Sequence, residues 1–191
     1  LRIALVLGTK PGFSFLEIVV VLLILGLIGS VIIPNLQFRA ADYQRKELVQ
    51  KLGALVRAGW QQALQSQQLH RVWFDLKTKI VRLERVIEPR GEGQKPRYEP
   101  VNVAYATTQF TLPDAITIKQ FFIQSSDALN QPGIKVESVW FYIVPEGLVQ
   151  EVIINALDGN DIDPQGQAHQ FSLIVNPFTA QLSLYESFSK I

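Results

Sequence analysis

The chain has 191 residues, of which 48% are apolar and 18% are charged, so its composition is that of a folded protein and not of a disordered tail. The formal net charge of +1 gives no overall reason to expect nucleic acid as the main partner. Cysteine is absent and only two histidines occur, His70 and His169. These counts exclude a disulfide scaffold, a thiolate zinc site, a cysteine nucleophile and a multi-histidine metal centre.

The apolar residues are concentrated near the start of the chain. Sixteen residues without a charge, IVVVLLILGLIGSVII, run from Ile18 to Ile33. The wider segment 13–36 is interrupted only by Glu17. As a helix it would reach roughly 36 Å, which is enough for the hydrocarbon core of a bilayer at about 30 Å. We therefore predict a transmembrane helix over 13–36, in preference to a buried core helix or a cleaved secretory signal.

A carboxylate inside this apolar segment points to a specific role. Burying such a group in a membrane costs about 2.5–3.5 kcal/mol on insertion scales, so it usually marks function or a partner. The surrounding residues read GFSFLEIVVVLLILGLIGSVIIP, from Gly12 to Pro34. This segment resembles the N-terminal signal of type IV pilins and type II secretion pseudopilins. Ser14 stands where threonine is commoner in that family, and the leader is more apolar than usual.

The resemblance implies a processing pathway and several site residues. Residues 1–12 would be a leader, which prepilin peptidase removes between Gly12 and Phe13 before the new N-terminus is methylated. Glu17 would then be the fifth residue, able to pair with the N-terminal amine of a neighbouring subunit, and the alternative is that it reaches the headgroups. Gly26, Gly29 and Pro34 are expected to set helix packing and a helix kink where the segment leaves the membrane.

A second helical pattern follows the apolar segment. Over 37–69 the sequence predicts an amphipathic helix, with an apolar stripe that should pack on a sheet and not on lipid. The stripe consists of Leu48, Leu52, Leu55, Gly59 and Ala63. Charged residues, Arg45 among them, are expected to lie largely off this stripe.

From His70 onward the apolar period changes to two, which is typical of strands. Candidate strands are RVWFDL, IVRLERVI, VAYATTQFT, AITIKQFFI, IKVESVWFYIV, LVQEVIINA, HQFSLIV and QLSLYE. Glycine-rich or proline-rich segments separate them, including a long loop EPRGEGQKPRYEP and a turn LDGNDIDPQG. We therefore predict an α+β protein in which a long N-terminal helix, half membrane-embedded and half amphipathic, packs on a mostly antiparallel β-rich head over 70–191.

The order of these elements allows a finer comparison. The segments RAGWQQALQSQQLHRVWFDLKTK, VWFYIVPEGLVQEVIINA and FSLIVNPFTAQLSLYE resemble the H-type minor pseudopilin of type II secretion and the related fimbrial minor pilins. This implies a single-pass inner-membrane protein with a periplasmic head. It would be a structural subunit of the filament that promotes export of folded proteins across the outer membrane. Implied partners are other major and minor pseudopilins, prepilin peptidase and the inner-membrane assembly platform.

Two alternative functions remain within the pilin-like class. One is a type IV minor pilin that serves pilus assembly or adhesion. The other, less favoured, is a DNA-binding minor pilin for DNA uptake, because the C-terminal segment carries only Lys190 as a basic residue. The basic stretch Arg71 to Arg97 is its main support, and nucleic acid is not an expected partner.

The charges are unevenly distributed along the chain. Residues 39–97 hold 13 basic and 6 acidic side chains, a difference of +7, whereas residues 98–191 hold 3 basic and 10 acidic ones, a difference of −7. Such polarity would suit head-to-tail stacking of subunits. The alternative is that the two sets of charges interleave on the folded surface and cancel locally.

No pattern in the head indicates an enzyme or a bound cofactor. His70 and His169 have no nucleophile elbow or phosphate loop beside them, and His70 is expected to be structural. The segment DGNDIDPQG offers Asp158, Asp161 and Asp163 as a weak calcium candidate. Because Ser172 stands where a calcium loop counted from Asp161 needs a bidentate glutamate, we favour a plain solvated turn and expect no metal.

Overall fold

A computed structural model describes residues 14–87, 96–131, 133, 135–163 and 165–190, with only the backbone described over 29–41. It contains one helix, α1, spanning Phe15–Ser66, among these residues. The chain divides into two compact units, with the boundary between Arg39 and Ala40. The predicted leader 1–12 and Phe13 lie outside the described residues.

In the first unit, α1 is covered with large apolar side chains. The described ones from Phe15 to Ile28 are between 45% and 81% exposed. Among the described residues, no helix is long and apolar enough to cross a membrane. Phe13 and the side chains of 29–36, which belong to the predicted membrane segment, lie outside the described part of the chain.

In the second unit, Ala40–Ile191, the described residues form ten strands in addition to the rest of α1. In chain order the strands are β1 His70–Asp75, β2 Ile80–Ile87, β3 Arg97–Pro100, β4 Gln109–Thr111, β5 Ile116–Ile123, β6 Ser126–Asp127, β7 Ser138–Ile143, β8 Val152–Ile162, β9 Ala168–Val175 and β10 Leu182–Tyr185.

The strands form two five-stranded sheets. The first sheet has the order β3-β2-β1-β7, with β4 also pairing with β2, and the second has the order β10-β9-β8-β5-β6. All of their strand pairings are antiparallel. The expectation of an α+β fold with mostly antiparallel sheet is therefore confirmed, and the strands of the head are divided between two sheets.

The core of the second unit joins α1 to both sheets. The predicted stripe is confirmed, because Leu48, Leu52 and Leu55 are 3%, 1% and 0% exposed. Phe74 of the first sheet meets Phe121 of the second edge to face, with ring centroids 5.2 Å apart. Alternating residues of the strands supply the rest of the core, as the period-two pattern requires.

Helix α1 ends at Ser66, three residues before the predicted end. Gln67 has a φ of 54°, in the left-handed region, and its N–H donates to the Ala63 carbonyl at 2.9 Å. This conformation closes the helix, and it is usually supplied by glycine. Because residue 67 is a glutamine and not a glycine, the sequence does not indicate that the helix ends here.

Two segments assigned to loops and turns are partly strand. The end of the predicted long loop forms β3, which pairs with β2 from Glu84↔Pro100 to Ile87↔Arg97. The segment DGNDI, predicted as a solvated turn, instead continues β8 to Ile162. The pairing of β8 with β9 is irregular between Asp158 and Ile162, so glycine and aspartate mark a bulge here and not a chain reversal.

Candidate functional site

The residues of the N-terminal motif are described only in part. Glu17 lies in the first turn of α1 and is exposed among apolar neighbours. A carboxylate at this end of a helix interacts favourably with the helix dipole. Gly12 and Phe13 fall outside the described residues, as do the side-chain positions of Gly29 and Pro34. Their roles in cleavage, packing and kinking stay predictions.

Gly26 lies on an open part of the helix surface. A Cβ atom added there would meet nothing within 4 Å. Within the first unit, the glycine therefore relieves no crowding. Close approach of a second helix is the use that small residues have at such positions.

A buried ionic cluster joins α1 to the second sheet. Arg45 is 6% exposed, and its Nη1 lies 2.6 Å from Asp161 Oδ2 and 3.4 Å from Asp158 Oδ2. Asp158 is completely buried. Burial opposes the charge of the guanidinium, but the hydrogen bond to Asp161 and the charges of Glu186, Asp161 and Asp158 outweigh it and raise the pKa of Arg45.

A histidine extends this cluster toward the surface. His169 Nε2 lies 2.6 Å from Glu186 Oε2, and its Nδ1 lies 3.5 Å from Asp161 Oδ2. Arg45 and His169 thus lie among three acidic side chains. This arrangement fixes α1 against β8 and β9, since β8 carries Asp158 and Asp161 and β9 carries His169.

Two of the three calcium candidates therefore face a protein cation. Asp158 and Asp161 point at Arg45, whereas Asp163 accepts hydrogen bonds from the backbone N–H groups of Gln165 and Gln167 at 3.0 and 2.7 Å. Within the described ranges, no group of three or more histidine or acidic side chains has a geometry that could hold a metal ion. A cation at this place would have to compete with the guanidinium of Arg45.

The role of Arg45 was not predicted, because this residue was expected to lie largely off the apolar stripe. The sequence did contain a signal for its burial, because Arg45 lies three residues before Leu48 and therefore on the same face of the helix. The two aspartates of β8 provide the opposite charge. Arginine was assigned to the surface by residue type and not by its position on the helix.

A second ionic group lies on the face of the first sheet that points away from the core. Arg71 Nε donates to Glu84 at 2.6 Å, and Arg82 Nε donates to the other oxygen of the same carboxylate at 2.6 Å. The Arg71 guanidinium stacks on Tyr98 with its Cζ 3.2 Å from the ring centroid, and Arg82 stacks on Trp73 at 4.2 Å. Two cations of the basic stretch are thus engaged within the protein.

His70 is structural, as expected from its place between α1 and β1. Its side chain is 1% exposed and its Nδ1 lies 2.8 Å from the Gln68 carbonyl oxygen. Burial lowers the pKa of His70, the contact with the Gln68 carbonyl partly opposes this, and the charge of Arg85 adds to the lowering. The ring therefore favours its neutral form.

An open groove of about 600 Å³ runs beside β7. Its lining includes the apolar or aromatic side chains of Ile123, Val139, Trp140 and Tyr142, and its charged residues are Lys135 and Glu137. Among the described residues that line it, there is no pairing of a nucleophile with a histidine base of the kind that acyl transfer uses.

Comparison with known proteins identifies the fold. No protein-family profile and no curated protein sequence matches the chain. Two solved structures of the minor pseudopilin EpsH from the type II secretion system of Vibrio cholerae are similar to it. One is 13% identical with a TM-score of 0.51 and covers 78% of this chain and 97% of that one. The other is 16% identical with a TM-score of 0.48 and covers 74% and 95%.

At this level of identity the likeness is one of fold. The alignment at a TM-score of 0.51 includes nearly the whole of the EpsH chain. The resemblance to H-type minor pseudopilins that the sequence indicated is confirmed in that sense. The activity of the chain is a separate question.

Proposed function

We propose that this chain is a minor pseudopilin, a non-enzymatic structural subunit of the periplasmic filament of a type II secretion system. In this role it promotes export of folded proteins across the outer membrane. The observation that carries the proposal is the combination of a pseudopilin-like fold with an N-terminal helix whose exposed apolar surface contains one carboxylate, Glu17.

The N-terminal motif supplies the chemistry of assembly. Prepilin peptidase removes residues 1–12 after Gly12, and the new N-terminal residue, Phe13, is methylated. Segment 13–36 then anchors the protein in the inner membrane as a single span, with the head in the periplasm. The amine of Phe13 pairs with Glu17 of the next subunit, so that two charges that are costly alone neutralise each other in an apolar environment.

The exposed apolar surface of α1 supports this arrangement. A continuous surface of this kind requires lipid or neighbouring helices to cover it. In the filament, the partners that cover it are other major and minor pseudopilins, brought together at the inner-membrane assembly platform. The head then contributes surfaces for contact and no reaction.

An in-frame deletion tests the proposal at the level of the secretion system. Exoproteins are measured in the culture supernatant and in the periplasm of the deletion strain, the parent and the complemented strain. We expect exoproteins to accumulate in the periplasm of the deletion strain and export to return on complementation. Unchanged export would contradict the proposal.

Two outcomes of the same deletion identify the alternatives. If export is unchanged and surface pili are lost, the chain is a type IV minor pilin. If export and pili are unchanged and DNA uptake is lost, it is a DNA-binding minor pilin. The pairing of Arg71 and Arg82 with Glu84 argues against the second alternative, because the shared carboxylate offsets one of the two positive charges and so weakens the attraction of this stretch for phosphate.

A further inference from the structure

The last described residues of the chain cross the outer face of the second sheet. We call Ser187–Lys190 the C-terminal strap. Val152, Ile154 and Ala156 of β8 point into the core, so Asn155 points to the opposite face. Ser172 of β9 is its direct partner in the strand register, and both side chains are completely buried. The strap lies where these two buried polar groups need partners.

Asn155 binds the backbone of the strap as a neighbouring strand would. Its Nδ2 donates to the Ser189 carbonyl oxygen at 2.9 Å, and its Oδ1 accepts from the Ser189 N–H at 3.2 Å. Gln120 accepts a further hydrogen bond from the same Nδ2 at 2.8 Å, which fixes the orientation of the amide. A side-chain amide that contacts both the N–H and the C=O of one residue selects an extended backbone.

Ser172 completes the attachment. Its Oγ accepts from the Ser189 N–H at 2.8 Å and lies 2.6 Å from both the Ser187 carbonyl oxygen and Asn155 Oδ1. The hydroxyl has one proton, so it donates to one of these two oxygens at a time. Among the described residues, the hydrogen bonds of the strap are made with Asn155 and Ser172 alone.

The strap side of the sheet also carries apolar residues. Ile153 is 4% exposed, although it does not belong to the main core cluster. In the strand register it lies between Phe122 of β5 and Ile174 of β9, which gives an apolar row beside the polar row of Gln120, Asn155 and Ser172. Sites that bind an extended peptide combine polar groups, which form hydrogen bonds with the peptide backbone, and apolar groups, which contact its side chains. This face of the second sheet has both.

We propose that Asn155 and Ser172 form a binding site for an extended peptide segment, which the C-terminal strap of the same chain occupies as a detachable ligand. The ligand is a short extended segment that the site holds through the backbone groups of alternate residues, as it holds the carbonyl oxygen of Ser187 and both the N–H and the carbonyl oxygen of Ser189. Because the strap contributes no side chain to the main core, its release leaves the core of the second unit intact. The site is independent of the proposed function, since it depends only on contacts within the second unit.

Hydrogen exchange of the full-length protein in detergent tests the attachment. In Asn155→Ala we expect the amide of Ser189, which donates to Asn155 and Ser172, to exchange about tenfold faster or more, with the amides of β8 and β9 little changed. Asn160→Ala is the matched control, because Asn160 makes only an exposed side-chain contact with Gln44. Equal strap exchange in the parent and in Asn155→Ala would overturn the proposal.

A second measurement does not depend on the folding of that variant. The chain is ended after Glu186, and a labelled peptide with the sequence of residues 186–191 is added while its fluorescence anisotropy is followed. We expect saturable binding to the shortened chain and much weaker binding to the intact chain, whose site is filled. Equal binding to both chains, or to neither, would overturn the proposal. Peptide-induced pairing of two shortened chains would show instead that the segment bridges copies and does not bind as a strap.

Discussion

At the scale of single residues, burial explains the behaviour of the two groups with unusual surroundings. His70 is buried where α1 meets the first sheet, and Arg45 is buried where α1 meets the second. Burial favours the neutral form of His70, whereas acidic partners favour the charged form of Arg45. The stability of the fold should therefore depend on pH through His70 and on the presence of the guanidinium through Arg45.

The pKa of His70 predicts a loss of stability at mildly acidic pH. Its folded-state pKa is lowered from 6.5 by burial, so the unfolded chain binds the proton more readily. The contribution of the neutral ring is complete above about pH 6.5 and is lost as the pH falls through the folded-state value. We expect the free energy of unfolding to decrease from pH 7.5 to pH 5.5 and to decrease less in His70→Phe.

Denaturant unfolding at a series of pH values measures this effect. His169→Phe serves as the matched control, because His169 is half-buried beside Asp161 and Glu186 and not enclosed like His70. An identical pH dependence in the parent and in His70→Phe would show that His70 does not titrate as described.

Removal of the Arg45 guanidinium should be strongly destabilising. In Arg45→Met the buried carboxylate of Asp158 loses its counter-charge, and we expect the free energy of unfolding to fall by about 3–5 kcal/mol. Lys46→Met is the control, since Lys46 pairs with Asp42 on the exposed side of the same helix and should cost at most about 0.5 kcal/mol. Chemical denaturation measures both variants.

A double variant separates the loss of charge from the loss of packing. Asp158→Asn in the Arg45→Met background removes the uncompensated carboxylate, so part of the lost stability should return. If the double variant is less stable than Arg45→Met by the full cost of a second independent substitution, the two groups are not coupled.

At the scale of elements, two glycines of α1 differ in what surrounds them. A Cβ at Gly59 would lie 2.7 Å from the terminal methyl groups of Ile143 and Leu83, whereas one at Gly53 would lie 3.7 Å from Leu182 Cβ. Gly59 therefore sets how closely α1 approaches the first sheet. Gly53 has room for a methyl group.

This difference predicts opposite effects on stability. Gly53→Ala should raise the free energy of unfolding by up to about 1 kcal/mol, because alanine favours helix. Gly59→Val should lower it by about 1–3 kcal/mol through overpacking against the first sheet. Thermal and chemical denaturation check both, and equal effects of the two substitutions would contradict the close approach at Gly59.

The sequence predicted elements well where one strong local pattern decides them. Strand β2 was predicted with its observed bounds, Ile80–Ile87, because apolar alternation and a preceding turn mark it. The apolar stripe of α1 was likewise confirmed at each of its five positions. Local periodicity is sufficient when the same residues that favour the element also bury one face of it.

Errors arose where distant contacts override local preference. Strand β3 is short and carries Arg97, Glu99 and Pro100, so it has no strand pattern of its own and forms by pairing with β2. The extension of β8 places Asp158 opposite Arg45, which lies 113 positions earlier in the chain. In the sequence, Asp158 and Asp161 favour a turn, because their pairing with Arg45 is visible only in the folded structure.

At the scale of the whole molecule, opposite charges from the two halves of the sequence meet in the fold. Among the described residues four ion pairs join them, namely Arg45–Asp161 at 2.6 Å, Arg45–Asp158 at 3.4 Å, Lys79–Asp114 at 3.4 Å and Arg85–Glu99 at 3.2 Å. Part of the charge difference is therefore neutralised within one molecule, as the interleaving alternative expected. Only the charges that are not paired within one molecule can contribute to electrostatic stacking of subunits.

In the function that we propose, this chain is built into a secretion filament through the charge of Glu17. The most direct measurement is export of exoproteins by the deletion strain complemented with Glu17→Leu, beside complementation with Glu47→Ala. Glu47 is a suitable control because it is a partly exposed glutamate of the same helix that pairs only with Lys51 among the described residues.

The two complemented strains should differ clearly. With equal membrane levels of both variants, we expect Glu47→Ala to restore export and Glu17→Leu to leave exoproteins in the periplasm, because the neighbouring N-terminal amine then lacks its partner. Full export with Glu17→Leu would show that the charge of Glu17 is not needed for assembly of the filament.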